Sequence, residues 1–335
     1  MSFTFFWLLL ILMVVGLPIA FALMIAPGLS LFFDGQASMF PMLLMRMYNG
    51  MDSFPLMAIP YFILAGEVMN KGGITMRLVV LSQALIGHLR GGLAHVNILS
   101  SILFAGLSGS AVADTSAIGS MMIPAMEKNG YTRRFAAAVT AASSVIGPII
   151  PPSGIMIIYA FVMNVSVAGL FAAGLIPGLL VGFGLMAMTV FLSKRRNYPI
   201  ASKRASLKEV VISFRGAFLP LLTPIIILGG ILLGIFTPTE AAAIAAGYAI
   251  IISMFVLRTL SLTDLPKVLF NAALSSGMIL FLVGASTAFA TLVSLTGTAS
   301  KAMEIMNLIS ENPLVLLFLV NILLFFVGMF LDAGP

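Results

Sequence analysis

Charged residues are scarce in this chain, only 8% of its 335 positions. A soluble domain keeps roughly a quarter of its residues charged because its surface must face water. That shortage excludes a soluble globular domain of this length. Cysteine is absent, which excludes disulfides, thiolate metal centres and thiol chemistry. The two histidines, His88 and His95, are too few for a histidine-built catalytic metal cluster. Acidic residues number 11 against 17 basic ones, a net charge of +6. In so apolar a chain that excess reads as Lys- and Arg-rich cytoplasmic loops, and no nucleic acid is expected as a partner. Apolar residues make up 61% of the total. A hydrocarbon core of ~30 Å takes about 20 of them per helix, and several such runs follow one another. The expectation is a single all-α integral membrane domain over residues 1–335, surrounded by membrane lipid. Residues 3–33 lack a basic leader and a clear cleavage site, and read as mature membrane helix.

Gly16-Leu17-Pro18 interrupts that first stretch and predicts two short spans. A polar loop holding Asp34, Arg46, Asn49 and Asp52 is expected next, then a span over 54–70 and an amphipathic interfacial helix over 74–90. Residues 194–215 are dense in Lys and Arg with Glu209 alone opposing them, so this connector is expected on the cytoplasmic side. The basic ends at 88–90 and 128–134 then share its side, and residues 93–126 enter and leave together as a re-entrant helical hairpin. Such backbone is tolerated at membrane depth only where protein or a water-filled cavity buries it. Two ordinary spans with an external loop at 106–116 are the alternative.

The two halves resemble each other in register. Gly73-Ile-Thr-Met-Arg77 aligns with Gly297-Thr-Ala-Ser-Lys301, and Val96-Asn97-Ile-Leu99 with Val320-Asn321-Ile-Leu323, at the same separation. This predicts a first repeat over 1–193, a basic connector over 194–217, and an incomplete second repeat over 218–335 ending inside its own hairpin. An odd number of spans per repeat would invert the second, the pattern of many secondary transporters, whose sites form where broken helices meet.

Three features carry chemistry at that level. The Ser108-Gly109-Ser110 turn offers hydroxyls and an accessible backbone, and Asp114 follows one helical turn later, with Thr115 and Ser116 beside it. The break from Gly147 and Pro148 through Pro151, Pro152 and Ser153 to Gly154 should leave carbonyls of residues 144–148 without amide partners. Carbonyls, hydroxyls and a carboxylate suit a hard monovalent cation such as Na⁺, and half-helix N-termini suit an anionic substrate group. Asp332, a second intramembrane acid, calls for a cation or proton partner. Glu67 and Glu240 read as solvated or capping residues, Asn97 and Asn321 as interhelical or site-lining, and Trp7 as an interface anchor.

The run from Gly106 to Gly119, Gly-Leu-Ser-Gly-Ser-Ala-Val-Ala-Asp-Thr-Ser-Ala-Ile-Gly, resembles the large membrane subunit of tripartite ATP-independent periplasmic (TRAP) transporters. Leu64-Ala-Gly-Glu-Val-Met-Asn-Lys-Gly-Gly73, Ile146-Gly-Pro-Ile-Ile-Pro-Pro-Ser153 and Phe236-Thr-Pro-Thr-Glu-Ala-Ala-Ala243 carry the same resemblance, in order, over essentially the whole chain. It implies an inverted-repeat, elevator-type importer in the bacterial inner membrane, driven by sodium and carrying an organic acid such as a C4-dicarboxylate, sialic acid or another sugar acid. It also implies a small four-helix membrane subunit and a periplasmic substrate-binding protein as partners. Carried over, one sodium site draws on Ser108, Gly109, Ser110, Asp114, Gly147, Pro148 and Ser153, and a second on Gly328 and Asp332. Substrate contacts fall to Ser110, Asp114, Thr115, Ser116, Pro152, Ser153 and Asp332. The family pattern continues beyond Pro335, so a truncated second half is expected. Other readings are a different ion-coupled anion transporter, a channel, and an intramembrane serine protease suggested by Gly106-Leu-Ser-Gly109. The protease would need a histidine within reach of Ser108.

Overall fold

The computed structural model describes residues 4–198, 204–310 and 312–329, and every regular element among them is helical. In chain order these are α1 (Thr4–Val14), α2 (Ile19–Phe33), α3 (Phe40–Met51), α4 (Ala58–Lys71), α5 (Ile74–Ile86), α6 (Gly92–Ser108), α7 (Ala111–Lys128) and α8 (Arg133–Ser144). There follow α9 (Gly154–Met163), α10 (Val167–Arg195), α11 (Leu207–Leu232), α12 (Pro238–Ile251), α13 (Leu265–Leu295), α14 (Thr298–Ile309) and α15 (Pro313–Gly328). Among the described residues, α10, α11, α13 and α12 with its π-helical extension to Val256 are long and apolar enough to cross a membrane. Shorter apolar helices make up much of the rest, among them α1, α2, α6, α9 and α15.

The chain divides into two compact units, residues 54–276 and residues 1–53 with 277–335. In the first, α12 packs closely on α4 because its buried face, Ala241, Ala242, Ala245, Ala246 and Ala249, is small enough for backbones to approach. The pair runs parallel, tied at both ends. The Thr239 hydroxyl donates to the Phe54 carbonyl at 3.1 Å, and the Thr259 hydroxyl to the Gly72 carbonyl at 2.7 Å. Helix α5 buries Ile74, Leu78 and Leu81 against α6 and α11, and its Arg77 donates to the Gly216 carbonyl at 3.3 Å. The hairpin α6–α7 packs on α8, with Phe104, Ile118, Met122 and Met126 fully buried among them.

In the second unit, Gly16 and Pro18 separate α1 from α2 as expected. Residues 40–51, expected as loop, form the amphipathic helix α3 instead. Pro41 stands in its first turn, where a missing N–H costs nothing, and Leu43 and Gly50 supply a buried face. Phe5, Leu31, Leu43 and Leu292 form the core of this unit. Gly73 and Gly297, paired by the repeat, take nearly the same conformation, φ 68° and φ 65°, each capping the N-terminus of the helix that follows. Helix α10 runs to Arg195 and α11 starts at Leu207, so most of the basic connector's charges sit on helix ends.

Candidate functional site

The site begins with two helix breaks. Helix α6 ends at Ser108, and Gly109, at φ 59°, reverses the chain. Only glycine takes that conformation without steric cost. Ser110 then caps α7, its hydroxyl accepting from the Ala113 amide at 3.3 Å. In the second break α8 ends at Ser144, residues 145–153 lie outside regular α-helix, and Ser153 caps α9 by accepting from the Met156 amide at 3.4 Å. The two caps are conformational twins: φ −131°, ψ 125° at Ser110 and φ −132°, ψ 127° at Ser153.

The breaks are docked on each other. A Cβ at Gly109 would meet the Pro152 carbonyl and stand 3.0 Å from Cα of Ser153, and one at Gly147 would stand 3.0 Å from the carbonyl carbon of Ser110. Each break therefore presents a glycine to the serine cap of the other. Pro224 of α11 and Gly66 of α4 close around the same hairpin end, against Gly106 and Ser108. Two helix N-termini converge at this point, and their exposed amides and dipoles favour a negative group.

The carbonyls of the second break are partly used. The Ser144 carbonyl accepts from the Gly147 amide at 2.9 Å, and that of Ile146 from both Ile149 and Ile150. The expectation for 144–148 is corrected to that extent, because α8 closes with tight turns that recapture those two acceptors. The carbonyls of Gly147 and Pro148 receive no amide among the described residues, since Pro151 and Pro152 stand where their helical donors would be.

Asp114, in the first turn of α7, is wholly buried, and neither carboxylate oxygen has a hydrogen-bond partner among the described residues. The Ser101 hydroxyl beside it is turned to Ser143, 3.0 Å away. Ser143 donates to Asn97 at 3.4 Å, and Asn97 donates to the Thr140 hydroxyl at 2.7 Å, so a buried polar chain links α6 to α8 next to the free carboxylate. Asn97 thus bonds between helices. Ser101, Thr140 and Ser143 were not singled out in the sequence, although the four-residue spacing of Asn97 and Ser101 is a usable signal for one polar stripe on α6.

The structure brings together Ser108, Gly109, Ser110, Gly147, Pro152 and Ser153, with Asp114 one turn into the hairpin. It leaves Thr115 and Ser116 apart, exposed while Asp114 points inward. Gly328 is the last residue of α15, where a Cβ would meet nothing within 4 Å among the described residues, and Asp332 lies outside the described residues. Glu240 is a cap: its carboxylate accepts from the amide and hydroxyl of Thr237, each at 2.8 Å. The protease geometry does not form. His95 and Ser108 sit at opposite ends of α6, about 20 Å apart along its axis.

These features define a multi-helical membrane protein with a candidate site at its interrupted helices. The sequence model described as "Tripartite ATP-independent periplasmic transporter, DctM component" matches residues 6–335, so the chain belongs to that family. It is 40% identical over 324 residues to the sialic acid TRAP transporter permease protein SiaT of Haemophilus influenzae, covering 97% of this chain and 52% of that protein. It is 41% identical over 318 residues to the sialic acid TRAP transporter large permease protein SiaM of Vibrio cholerae, covering 95% and 74%. The 2,3-diketo-L-gulonate TRAP transporter large permease protein YiaN of Escherichia coli is 37% identical over 323 residues, covering 96% and 75%. The chain therefore spans about half of the first relative and about three quarters of the other two.

Proposed function

We propose that this chain forms the major part of the permease of a sodium-driven importer for an organic acid, in the bacterial inner membrane. The observation that carries the reading is the pair of docked breaks with the unpartnered Asp114 beside them. A buried carboxylate without a partner is costly in a membrane, ~2.5–3.5 kcal/mol even on insertion scales, and a cation offsets that cost. The carbonyls of Gly147 and Pro148, the turn Ser108–Ser110, Ser153 and Asp114 are oxygen donors of the hard kind Na⁺ takes. Gly328 and Asp332 would serve a second ion. A carboxylate substrate suits the converging N-termini of α7 and α9, with Ser110, Pro152 and Ser153 nearest it. Thr115 and Ser116 would reach it only from the outer face of α7.

Relatives named for sialic acid, 2,3-diketo-L-gulonate and C4-dicarboxylate all handle acids, and this supports the substrate class. A periplasmic binding protein that delivers the acid, a small membrane subunit, and elevator movement of the site against a scaffold complete the proposal. The test is uptake of labelled organic acids by the full-length protein with its partner subunits in liposomes. Accumulation should follow an imposed sodium gradient and stop when the gradient is collapsed. Uptake indifferent to sodium would exclude the proposal, and flux unaffected by substrate saturation would favour a channel.

A further inference from the structure

Away from the site, a cleft of about 340 Å³ opens between α8 and α10. Most of its wall is apolar, including Ala138, Ala142, Leu185 and Met188. Ala138 and Ala142 stand one turn apart on α8, and their small side chains leave the space open. At one end stand two arginines, Arg134 in the first turn of α8 and Arg196 at the C-terminus of α10. Both are exposed, and neither forms an ion pair among the described residues. Arg196 lies over the Phe135 ring at 5.4 Å, and Phe135 is held in turn by Tyr198, 4.8 Å away centre to centre. That stack fixes one guanidinium at the cleft. Arg134 occupies a helix N-terminus, where positive charge opposes the helix dipole and a bound anion relieves the conflict. From Arg134 to Ala142 the cleft follows α8 for about 12 Å, long enough for part of an acyl chain.

We propose that this cleft binds an anionic phospholipid, with its phosphate on Arg134 and Arg196 and one acyl chain along Ala138, Ala142, Leu185 and Met188. The charge complementarity and the apolar wall together select a lipid over a free anion. The inference rests on α10 lying in a bilayer, and not on the transport reading.

The test titrates delipidated full-length protein with phosphatidylglycerol, phosphatidylcholine of the same chains, or inorganic phosphate, read by native mass spectrometry. Phosphatidylglycerol should bind about tenfold more tightly than phosphatidylcholine, with affinity falling about fivefold for each arginine removed in Arg134→Gln and Arg196→Gln. Inorganic phosphate should leave no adduct. Ala142→Phe, which keeps both arginines and fills the wall, should also lose the lipid, with thermal unfolding confirming that each variant is folded. Equal binding of the two lipids, wild-type binding by these variants, or retention of phosphate alone would overturn the proposal. So would a photoreactive side chain at position 142 that, in the membrane-embedded complex, cross-links to another polypeptide and not to lipid.

Discussion

Asp114 and Glu240 both stand in the first turn of a helix that follows a glycine turn, yet they are opposites. Glu240 is exposed and closes a capping box with Thr237, its carboxylate accepting two hydrogen bonds. Asp114 is buried, and its carboxylate accepts none among the described residues. Glu240 does what its position asks, satisfying the Thr237 amide at the helix start. Asp114 is left without a partner beside the buried polar chain, and an unpaired acid inside a membrane is a candidate functional group. The glycines before them differ in the same way. Around Gly234, at φ 71°, nothing among the described residues stands within 4 Å of a Cβ, whereas Gly109 is pressed against the other break. One turn merely reverses the chain; the other also docks it.

The largest expected effect tests that contrast directly. Removing the charge from a buried ion site costs about 3–5 kcal/mol, so Asp114→Asn should lower sodium-driven uptake at least about 100-fold. Glu240→Gln should transport as the native protein does. Next, Gly109→Ala combines a left-handed alanine with overpacking against Pro152 and should lose roughly 2–5 kcal/mol. Gly234→Ala meets only the first penalty, about 1–2 kcal/mol. Thermal unfolding in detergent compares the two; equal losses would mean that the docking of the breaks contributes nothing. Asn97→Ala should cost about 1–3 kcal/mol by opening the buried chain beside Asp114.

The smallest effect concerns a second capping carboxylate. The Ser261 hydroxyl and amide, and then Lys71 at 3.8 Å, hold Asp264 below the usual carboxylate range. A lowered folded-state pKa contributes stability that is present above the unfolded value and lost as pH falls through the folded one. The stability gap between the native protein and Asp264→Asn should therefore be small at neutral pH and close in acid. A gap that widened in acid would reverse the assignment.

Both breaks and the helix pair α6–α7 were legible because glycine, proline and serine act locally, ending helices and capping the next ones whatever surrounds them. The membrane character followed from composition for the same reason. What local chemistry does not carry is pairing at a distance. The family resemblance puts the two breaks in one site, but no local pattern sets Gly109 on Pro152, or Gly147 on Ser110. Likewise, Asp114, Thr115 and Ser116 read as one polar group, but successive helical residues point about 100° apart, so burial separates the first from the others. Residues 40–51 misled in the opposite sense: Arg46 and Asn49 read as loop, while Leu43 and Gly50 give the segment a face to bury.

In the proposed function Asp114 completes a sodium site. Its most direct test is sodium binding by purified full-length protein, followed as thermal stabilisation in NaCl relative to choline chloride. The account predicts a rise in the native protein that saturates with sodium and disappears in Asp114→Asn while persisting in Glu240→Gln. An equal, saturating rise in the Asp114→Asn variant would contradict it.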